Sequence, residues 1–375
     1  MLRVPSSYDD EAGGPGEVLM AVLCQLRDPT NYRPCDWDLV TDAEGREYWI
    51  DEFLHHAESM FGFASTRNDP PPRERIAAMH AAYRDALEHL RRRPDARSRL
   101  DVLELCVLRD EFLQKFDIGD PYADVRQREN RAALKLYATV VRRIDDTPAD
   151  RRVETILRGV FAGNRFDLGS PATTAEYRSG GTDFFGELNR LKARPWFEDD
   201  LDVVEARLAD NGTPYCKAMV FADNAGADVV LGILPLARHL AGIGVNVVVA
   251  ATDHYALNDI TLDELNGAIE AAARLDEALR RHVSDGRITT VGTGYTHPLI
   301  DLSDISDACN EAAADCDLIV LEGMGRAVES NYRTPLRCDC LRIAMIKNEA
   351  VARHYGCRLF DLICRWTPGI QGTSG

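Results

Sequence analysis

Short apolar runs that alternate with helical patterns constrain the second half of this chain more than any other feature. Runs rich in β-branched residues occur at residues 217–222, 245–251, 287–291, 317–321 and 358–364. Between most of them, apolar residues recur at three- and four-residue intervals, at residues 227–241, 262–281, 303–314 and 336–354. Strands that alternate with helices are typical of a parallel sheet with helices on both faces. We therefore predict an α/β fold with a mostly parallel, Rossmann-like sheet flanked by helices.

The first half of the chain is predicted to be mainly helical. Its residues 73–93, 97–116 and 126–144 carry apolar side chains at helical spacing among charged ones. Near residue 210 the helical spacing of apolar residues is replaced by the short apolar runs of the second half. We therefore predict two closely packed parts: an N-terminal, mainly helical subdomain (1–210) and an α/β domain (211–375).

Local signals predict where three helices begin or bend. Thr261 and Glu264 have the spacing of a capping box. Ser303, or Asp301 before it, is the predicted N-cap of the following helix. Pro235 lies inside a helical pattern, and we expect it to kink that helix or to end its first part.

Composition excludes several classes of protein. The formal net charge of −17 argues against nucleic-acid binding, which needs a basic face. No run approaches the roughly 20 apolar residues of a membrane span, and the N-terminus lacks the apolar core of a secretion signal. We therefore expect a cytoplasmic protein without a membrane partner. The ten cysteines are mostly scattered singly, which favours buried reduced thiols over a metal site or disulfides.

Polar side chains gather at the predicted strand ends, where open α/β sheets bind ligands. Asp223 and Asn224 follow the first predicted strand, and Asp259 lies shortly after the second. Their carboxylate and amide oxygens suit Mg²⁺ or Mn²⁺. We expect the next helix to begin at Gly226 and to aim its amide groups at a bound phosphate. The residues alone leave an alternative open, in which Asp223 and Asn224 only cap that helix and Asp259 belongs to a turn.

Two further features could serve an anionic ligand. Lys347, one of only five lysines, lies within an apolar helical pattern, so it must either reach solvent or pair with an anion. The loop after the fourth predicted strand could wrap a ligand or form a plain turn; it consists of Gly323, Met324, Gly325 and Arg326. The glycine patterns of dinucleotide sites and P-loop kinases are absent, as is the serine elbow of α/β-hydrolases.

Several motifs in order resemble one family. They are FADNAGADVVLGILPLARHL, ALNDIT, VLEGMGRAVESNY and AMIKN in the second half, and DAEGREYW, DPYADVRQREN, AGNRFDLG and RPW in the first. Together they resemble the DUF89 or damage-control phosphatases. The EGMGR sequence is similar to the subgroup that is fused to pantothenate-kinase-like domains in animals and plants. The resemblance runs from about residue 30 to about residue 366.

The resemblance implies a site, a substrate and a cofactor. It implies that Asp223, Asn224 and Asp259 hold one divalent metal ion, which we expect to be Mg²⁺, Mn²⁺, Co²⁺ or Ni²⁺. It also implies that the helical part (1–210) covers the active site and that the α/β part (211–375) binds metal and phosphate. We hypothesise that Arg326 and Lys347 act with Asp223 in catalysis. The implied substrate is a small phosphorylated metabolite, 4′-phosphopantetheine or its oxidised or damaged forms. The residues implied to line the phosphate and substrate pocket are Glu129, Asn130, Asn164, Asp167, Glu322, Gly323, Met324 and Gly325.

This sequence departs from the family pattern at two places. Arg126 stands where the family has lysine, and residues 252–255, beside Asp259, also differ. No kinase-like domain is present in the sequence, so we expect a free-standing version.

Two alternatives in function and one in mechanism stay open at this point. The chain could be a phosphatase for sugar phosphates or other damaged metabolites, or a ligand-binding protein that does not catalyse. In the expected mechanism, water attacks the phosphate in line at a single metal ion. The rival mechanism forms an aspartyl-phosphate intermediate.

Overall fold

A seven-stranded sheet forms the centre of the protein. The computed structural model describes residues 20–165, 183–209, 212–294 and 297–369. Its strands are β1 (Met20–Ala21), β2 (Glu198–Asp199), β3 (Lys217–Phe221), β4 (Asn246–Ala251), β5 (Ile288–Gly292), β6 (Ile305–Ser306), β7 (Leu318–Glu322), β8 (Asp339–Met345) and β9 (Leu362–Thr367). β1 pairs with β6 in a small antiparallel sheet, and the other strands form the large sheet in the order β2-β9-β8-β7-β3-β4-β5.

The strand order of the large sheet reverses beside β3. From β3 the chain leads outward to β4 and β5, and then returns across the sheet to β7 and β8. These five strands are parallel to one another, whereas β9 runs antiparallel to β8. In open parallel sheets, ligands bind in the crevice outside the carboxyl ends of the strands where such a reversal occurs. The topology therefore predicts a ligand site at the carboxyl ends of β3 and β7.

Helices cover both faces of this sheet. They are α1 (Ala43–Thr66), α2 (Arg73–Arg92), α3 (Val102–Lys115), α4 (Ala123–Asp145), α5 (Ala149–Asn164), α6 (Phe184–Arg190), α7 (Leu201–Arg207), α8 (Leu234–Gly242), α9 (Leu262–Ala273), α10 (Glu277–Ser284), α11 (Asp307–Ala313) and α12 (Glu349–Tyr355). Two π-helical turns, Asp228–Ile233 and Gly325–Glu329, lie shortly after β3 and β7. Such turns are frequent at functional sites.

Alternate residues of the central strands pack into two different cores. In β3, Met219 and Phe221 belong to the core formed with α1, α2 and α3, whereas Ala218 and Val220 belong to the core formed with α4, α5 and α8. Successive side chains of a strand point to opposite faces, so a sheet covered on both faces must be apolar on both. The helical first half of the chain thus contributes to both faces, and β2 extends the sheet itself. The domain boundary at residue 210 stays a prediction.

The predicted α/β class and the mostly parallel sheet are confirmed. The first four predicted strands correspond to β3, β4, β5 and β7 within one residue at each end. The fifth, predicted at residues 358–364, begins later, as β9. The helices predicted at 73–93 and 126–144 correspond to α2 and α4.

The predicted helix at residues 336–354 is wrong in its first half, which forms β8. β8 lies inside the sheet between β7 and β9, and its residues from Cys340 to Met345 are buried. A strand buried on both faces lacks the polar–apolar alternation by which a half-buried strand is recognised, so its apolar residues also match helical spacing. Lys347 therefore lies in the loop between β8 and α12 and not on a helix.

The predicted helix starts are confirmed in one case and corrected in another. The capping box is present, because the Thr261 hydroxyl accepts from the Glu264 amide at 3.3 Å and Glu264 Oε2 accepts from the Thr261 amide at 3.1 Å. Ser303 or Asp301 was the predicted cap of α11, but Ser306 occupies that position and accepts from the Cys309 amide. The chain first forms β6, whose pairing with β1 delays the helix.

One of the longer helical patterns is interrupted, and another changes its type of helix. Residues 262–281 form two helices, because the Asp276 carboxylate accepts from the amides of Ala278 and Leu279 and starts α10. Pro235 lies in the first turn of α8, after the π-helical turn has ended at Ile233. The backbone stays helical through Ile233 and Leu234, so Pro235 does not end a helix; the hydrogen bonding changes there from π-helical to α-helical, and the expected kink stays a prediction.

Gly163→Ala should destabilise the fold. A Cβ at Gly163 would lie 2.8 Å from the Ala227 carbonyl oxygen and 2.8 Å from Asp228 Cα, because α5 packs against the backbone of the π-helical turn. These are backbone atoms, which cannot rotate away. We expect the free energy of unfolding to fall by about 1–3 kcal/mol, measured by urea denaturation.

Gly62→Ala is the matched control, because Gly62 lies in the exposed face of α1 with nothing within 4 Å of the added Cβ. Alanine favours helix over glycine by roughly 0.5–1 kcal/mol, so this variant should be more stable than the wild type. Equal effects of the two substitutions would contradict the close packing at Gly163.

Candidate metal and phosphate site

Two loops are joined at the carboxyl ends of β3 and β4. The loop after β3 carries Asp223 and Asn224, and the loop after β4 carries Asp259. Asn224 and Asp259 pair through their backbones, and the Ile260 amide donates to the Asp223 carbonyl at 3.0 Å. These backbone bonds bring together the three residues that the sequence predicted as metal ligands.

Arg126 fixes the second of these loops from α4. Its guanidinium donates to the Leu257 carbonyl at 2.9 Å and forms ion pairs with Asp120 and Glu264. Leu257 has a positive φ of 53°, a conformation that a non-glycine residue keeps only when its surroundings hold it. The planar fork of arginine can serve all three partners, which a lysine ammonium could not do in the same geometry. Arg126, which stands where the family pattern has lysine, thus supports the loop that carries Asp259.

Gly323 allows Asp223 to lie close to the end of β7. A Cβ at this position would lie 2.1 Å from Asp223 Oδ2, and the backbone has a φ of +96°. Only glycine meets both requirements. The loop from Gly323 is therefore more than a plain turn, because its first residue makes room for a carboxylate.

Three buried carboxylates lie together beneath the crevice. Oxygen atoms of Asp223, Asp228 and Glu322 are all within 4.8 Å of one another. Asp228 Oδ1 and Glu322 Oε1 have no hydrogen-bond partner among the described residues. Burial, together with the neighbouring negative charges, raises the pKa of Asp228 to about 6 and the pKa of Glu322 well above its usual range.

Asn164 joins two of these carboxylates to Lys347. Its Nδ2 donates to Asp223 at 3.0 Å and to Asp228 at 2.9 Å. Its side-chain oxygen accepts from Lys347 Nζ at 3.0 Å, and its carbonyl oxygen accepts from the same ammonium at 2.8 Å. Lys347 is buried. Lys347 therefore does not reach solvent. The Asn164 oxygens that accept from it are neutral, and the negative charge that it offsets is that of Asp228 and Glu322 nearby.

Arg326 lies between the carboxylates of the two loops. It forms ion pairs with Asp223 and with Asp259, the latter at 2.6 Å, and donates to the Pro298 carbonyl at 3.1 Å. The Arg326 side chain and both carboxylates are almost completely buried. The predicted catalytic cations thus contact other protein groups: Arg326 the carboxylates, and Lys347 the Asn164 side chain.

The donor set fits a divalent cation. Arg326 and Lys347 bring two positive charges to four buried carboxylates, namely Asp223, Asp228, Asp259 and Glu322. Buried charges need compensation, and carboxylate oxygens are the ligands that Mg²⁺ and Mn²⁺ prefer. Two ligand sets share Asp223. One adds Asn224 and Asp259, and the other adds Asp228 and Glu322.

A cavity of about 90 Å³ lies over the first ligand set. Besides Asp223, Asn224 and Asp259, its wall includes Met324 and Gly325, two residues that the sequence predicted. The opposite wall comes from α1 and α3, with Trp49, Glu52, Phe53, His56, Val102, Cys106 and Arg109. None of these residues was predicted from the sequence, although the first four follow the i, i+3, i+4, i+7 spacing of one helical face.

The Gly226 amide does not point at a phosphate, because it donates to Asn130 Oδ1 at 2.6 Å, and the helical turn begins only at Asp228. That prediction is wrong. Glu129 and Asn130 pack against Gly226, and neither is among the described residues that line the cavity. Asp167 lies outside the described residues.

Comparison with known proteins identifies the family. The pattern of the damage-control phosphatase ARMT1-like domain matches residues 53–363. The chain belongs to this family. The resemblance recognised from the motifs is therefore confirmed. A solved structure of a DUF89 family protein from Pyrococcus horikoshii has the same fold, with a TM-score of 0.61 and 14% identity over 84% of this chain and 96% of that one.

Several proteins with similar sequences are named as enzymes. A damage-control phosphatase of Arabidopsis thaliana is 35% identical over 85% of this chain and 87% of its own length. The Pantothenate kinase 2 of the same plant is 34% identical over 93% of this chain, and the 4′-phosphopantetheine phosphatase of Mus musculus 31% identical over 91%. The chain spans only 42% and 48% of the lengths of these last two proteins. None of the helices in the described part of the chain combines the length and the apolar character that a membrane span requires.

The metal-free protein should lose stability as the pH rises, and Asp228→Asn should remove part of this loss. Because the pKa of Asp228 is raised from 3.8 to about 6, the folded protein binds this proton more tightly than the unfolded chain does. The resulting stabilisation is complete below pH 3.8 and is lost as the pH passes about 6. Between about pH 4 and pH 7, the difference in unfolding free energy between the wild type and Asp228→Asn should change by on the order of 1–3 kcal/mol.

Urea denaturation in the presence of EDTA would measure this difference. A difference that stays constant with pH would mean that Asp228 is ionised throughout in the folded protein.

Proposed function

We propose that this protein is a metal-dependent phosphomonoester hydrolase that acts on 4′-phosphopantetheine or its oxidised forms. The observation that carries the proposal is the cavity at the strand ends, where Asp223, Asn224 and Asp259 lie above a buried excess of negative charge. The family membership and the names of two relatives support hydrolysis of phosphate esters. The mouse relative's name supports the choice of substrate.

The metal ion would be held by Asp223, Asn224 and Asp259. Asn224 Nδ2 donates to Asp223 at 2.9 Å and to Asp228 at 3.0 Å, which fixes the amide and leaves its oxygen without a donor among the described residues. When bound, a divalent cation supplies charge neutralisation for the phosphate oxygens and raises the acidity of water. Mg²⁺, Mn²⁺, Co²⁺ and Ni²⁺ are the candidates.

The protein's own groups would position the reaction. Arg326 holds the carboxylates of Asp223 and Asp259 in a fixed relation. Lys347 offsets negative charge behind them through Asn164. An anionic phosphate could not approach four carboxylates without such compensation. The helices α1 and α3 cover the cavity and limit its contact with water.

We propose that water attacks the phosphorus directly. In the aspartyl-phosphate mechanism Asp223 would be the nucleophile, but both of its carboxylate oxygens already accept hydrogen bonds. Oδ1 contacts Arg326, and Oδ2 accepts from Asn164 and Asn224. A carboxylate held by three donors is a weak nucleophile, because attack would require it to lose these bonds.

Protein labelled with ¹⁸O in its carboxylates should therefore release phosphate without ¹⁸O during a single turnover, measured by mass spectrometry. Appearance of the label in phosphate would establish the aspartyl-phosphate mechanism instead.

Asp223→Ala should reduce phosphate release from 4′-phosphopantetheine to background with each of the four metals. The substitution removes the residue that both ligand sets share. Asp85→Ala is the matched control, because Asp85 is exposed on α2, and it should keep wild-type activity. Circular dichroism would verify that both variants fold.

Wild-type protein that hydrolyses fructose phosphates as well as 4′-phosphopantetheine would favour a broader metabolite-repair phosphatase.

Titration with Mn²⁺ would separate the two ligand sets. If Asp223, Asn224 and Asp259 hold the ion, Asp259→Asn should weaken binding at least about ten-fold, because loss of even a group that only supports a ligand costs roughly 10–100-fold. Glu322→Gln, which keeps the shape of the side chain, should have a smaller effect. The reverse order would place the metal ion among Asp223, Asp228 and Glu322.

A further inference from the structure

Arg109 is the one arginine or lysine among the described residues that line the cavity. Arg326 and Lys347, the cations that the sequence predicted for the phosphate, are not part of this wall. A phosphate ester that enters the cavity carries negative charge, which the carboxylates of Asp223 and Asp259 would repel. A bound metal ion can offset part of this repulsion, and Arg109 is the protein cation that borders the same space.

The position of Arg109 follows from the helical spacing of α3. Val102, Cys106 and Arg109 all line the cavity, and their spacing in the chain places them on one face of the helix. Arg109 is only 2% exposed, so its side chain is packed within this wall and is not directed to bulk solvent. A guanidinium in such a place needs a partner for its charge.

The carboxylate of Asp110 provides that partner and orients the guanidinium. Arg109 Nε donates to Asp110 Oδ1 at 2.8 Å, and Arg109 Nη2 donates to Asp110 Oδ2 at 3.2 Å. This pair of hydrogen bonds occupies one edge of the planar guanidinium and restricts its rotation. The other edge, which carries Nη1, is not used by Asp110.

Nη1 of Arg109 is the end that remains for a ligand. It donates to none of the described residues, and it is not one of the fully buried side-chain nitrogens that lack a partner. Nη1 therefore keeps accessible surface, and because the rest of the residue is buried, this surface lies along the cavity wall. An arginine can pair with a carboxylate along one edge and bind phosphate oxygens with the other.

Arg109 also lies near the loops that carry the predicted metal ligands. Burial lowers the pKa of His297 to about 4, and the positive charges of Arg109 and Arg326 act in the same direction. Both guanidinium groups are thus close to the same imidazole. Because Arg326 forms ion pairs with Asp223 and Asp259, Arg109 belongs to the end of the cavity where the phosphate would be bound.

We propose that Arg109 is a catalytic residue whose Nη1 donates to a non-bridging oxygen of the substrate's phosphoryl group, and that Asp110 is the positioning residue that holds its guanidinium. This inference rests on the proposed phosphatase function. It concerns the phosphoryl group, which all substrates of such an enzyme share, and not the leaving group. The guanidinium would bind the phosphate and offset the charge on its oxygens in the transition state.

The test compares Arg109→Lys with Arg97→Lys. Lysine keeps the positive charge and can still pair with Asp110, but its ammonium has no second edge with which to reach a phosphate oxygen. Arg97 is the matched control, because it pairs with Glu104 and Glu111 of the same helix and is not among the described residues that line the cavity. Urea denaturation would establish that both variants are folded.

Binding of inorganic phosphate to the Mn²⁺-loaded protein, measured by isothermal titration calorimetry, is the first readout. A hydrogen bond between charged groups corresponds to roughly ten-fold or more in affinity, so Arg109→Lys should bind phosphate at least about ten-fold more weakly than the wild type. Arg97→Lys should bind it as the wild type does. Mn²⁺ affinity should be the same in all three proteins, because Arg109 pairs with Asp110 and not with the metal ligands.

Equal phosphate affinities in the three proteins would overturn the role of Arg109. A loss of Mn²⁺ affinity in Arg109→Lys as large as its loss of phosphate affinity would also overturn it, because the substitution would then have damaged the metal site.

The second readout is kcat/KM for 4′-phosphopantetheine and for phenyl phosphate, which share the phosphoryl group and differ in the leaving group. Arg109→Lys should lower both values by the same factor, at least about ten-fold. A fall for 4′-phosphopantetheine alone would contradict the proposal, because Arg109 would then contact the leaving group.

A double variant, Arg109→Gln with Asp110→Asn, keeps the inference testable if Arg109→Lys does not fold. It removes both charges of the buried pair together, so neither is left without its partner. Phosphate binding should again weaken at least about ten-fold, and wild-type affinity in the double variant would argue against Arg109.

The proposed function and the role of Arg109 can fail separately. Wild-type protein that binds phosphate through Arg109 but hydrolyses no phosphomonoester would refute the proposed function and leave the arginine site intact. Wild-type protein that hydrolyses both esters, with Arg109→Lys equally active, would refute the role of Arg109 alone.

Discussion

The ion pairs of Arg326 with Asp223 and Asp259 hold the site together. The two carboxylates lie on loops after different strands, and in a buried crevice their like charges would drive those loops apart. The guanidinium bridges them, and backbone bonds between the loops fix their relative position. Gly323 makes room for one carboxylate, and Arg126 supports the loop that carries the other. Much of the local structure therefore serves to keep negative charges close together.

The two halves of the chain divide the work of the candidate site. The strand ends supply the carboxylates, the amide and the two buried cations, which are the groups that any phosphate ester would need. The helices α1 and α3 supply the opposite wall of the cavity, which includes Arg109 and meets the rest of the substrate. Because α1 and α3 pack on one face of the sheet while α4 and α5 pack on the other, the first half of the chain both covers the site and braces it.

Several polar groups at the site are buried without the partners that a stable fold would supply. Asp228 Oδ1, Glu322 Oε1 and the Trp49 indole N–H are examples among the described residues. Each is unfavourable for folding alone, and the dense apolar cores on both faces of the sheet offset the cost. Such local conflicts are expected where a site is arranged for a ligand rather than for the empty protein.

The α/β class, four of the strands, the capping box at Thr261 and the polar residues at the strand ends could all be predicted from the amino-acid sequence. Periodicity, caps and strand ends are local features, so they can be read from neighbouring residues. The tertiary structure was needed to show that residues 339–345 form a strand, that Lys347 pairs with Asn164, that Asp228 joins the acidic cluster and that α1 and α3 line the same cavity as Asp223. Each of these depends on groups far apart in the chain, whose proximity is set by strand order and by the packing of helices on the sheet.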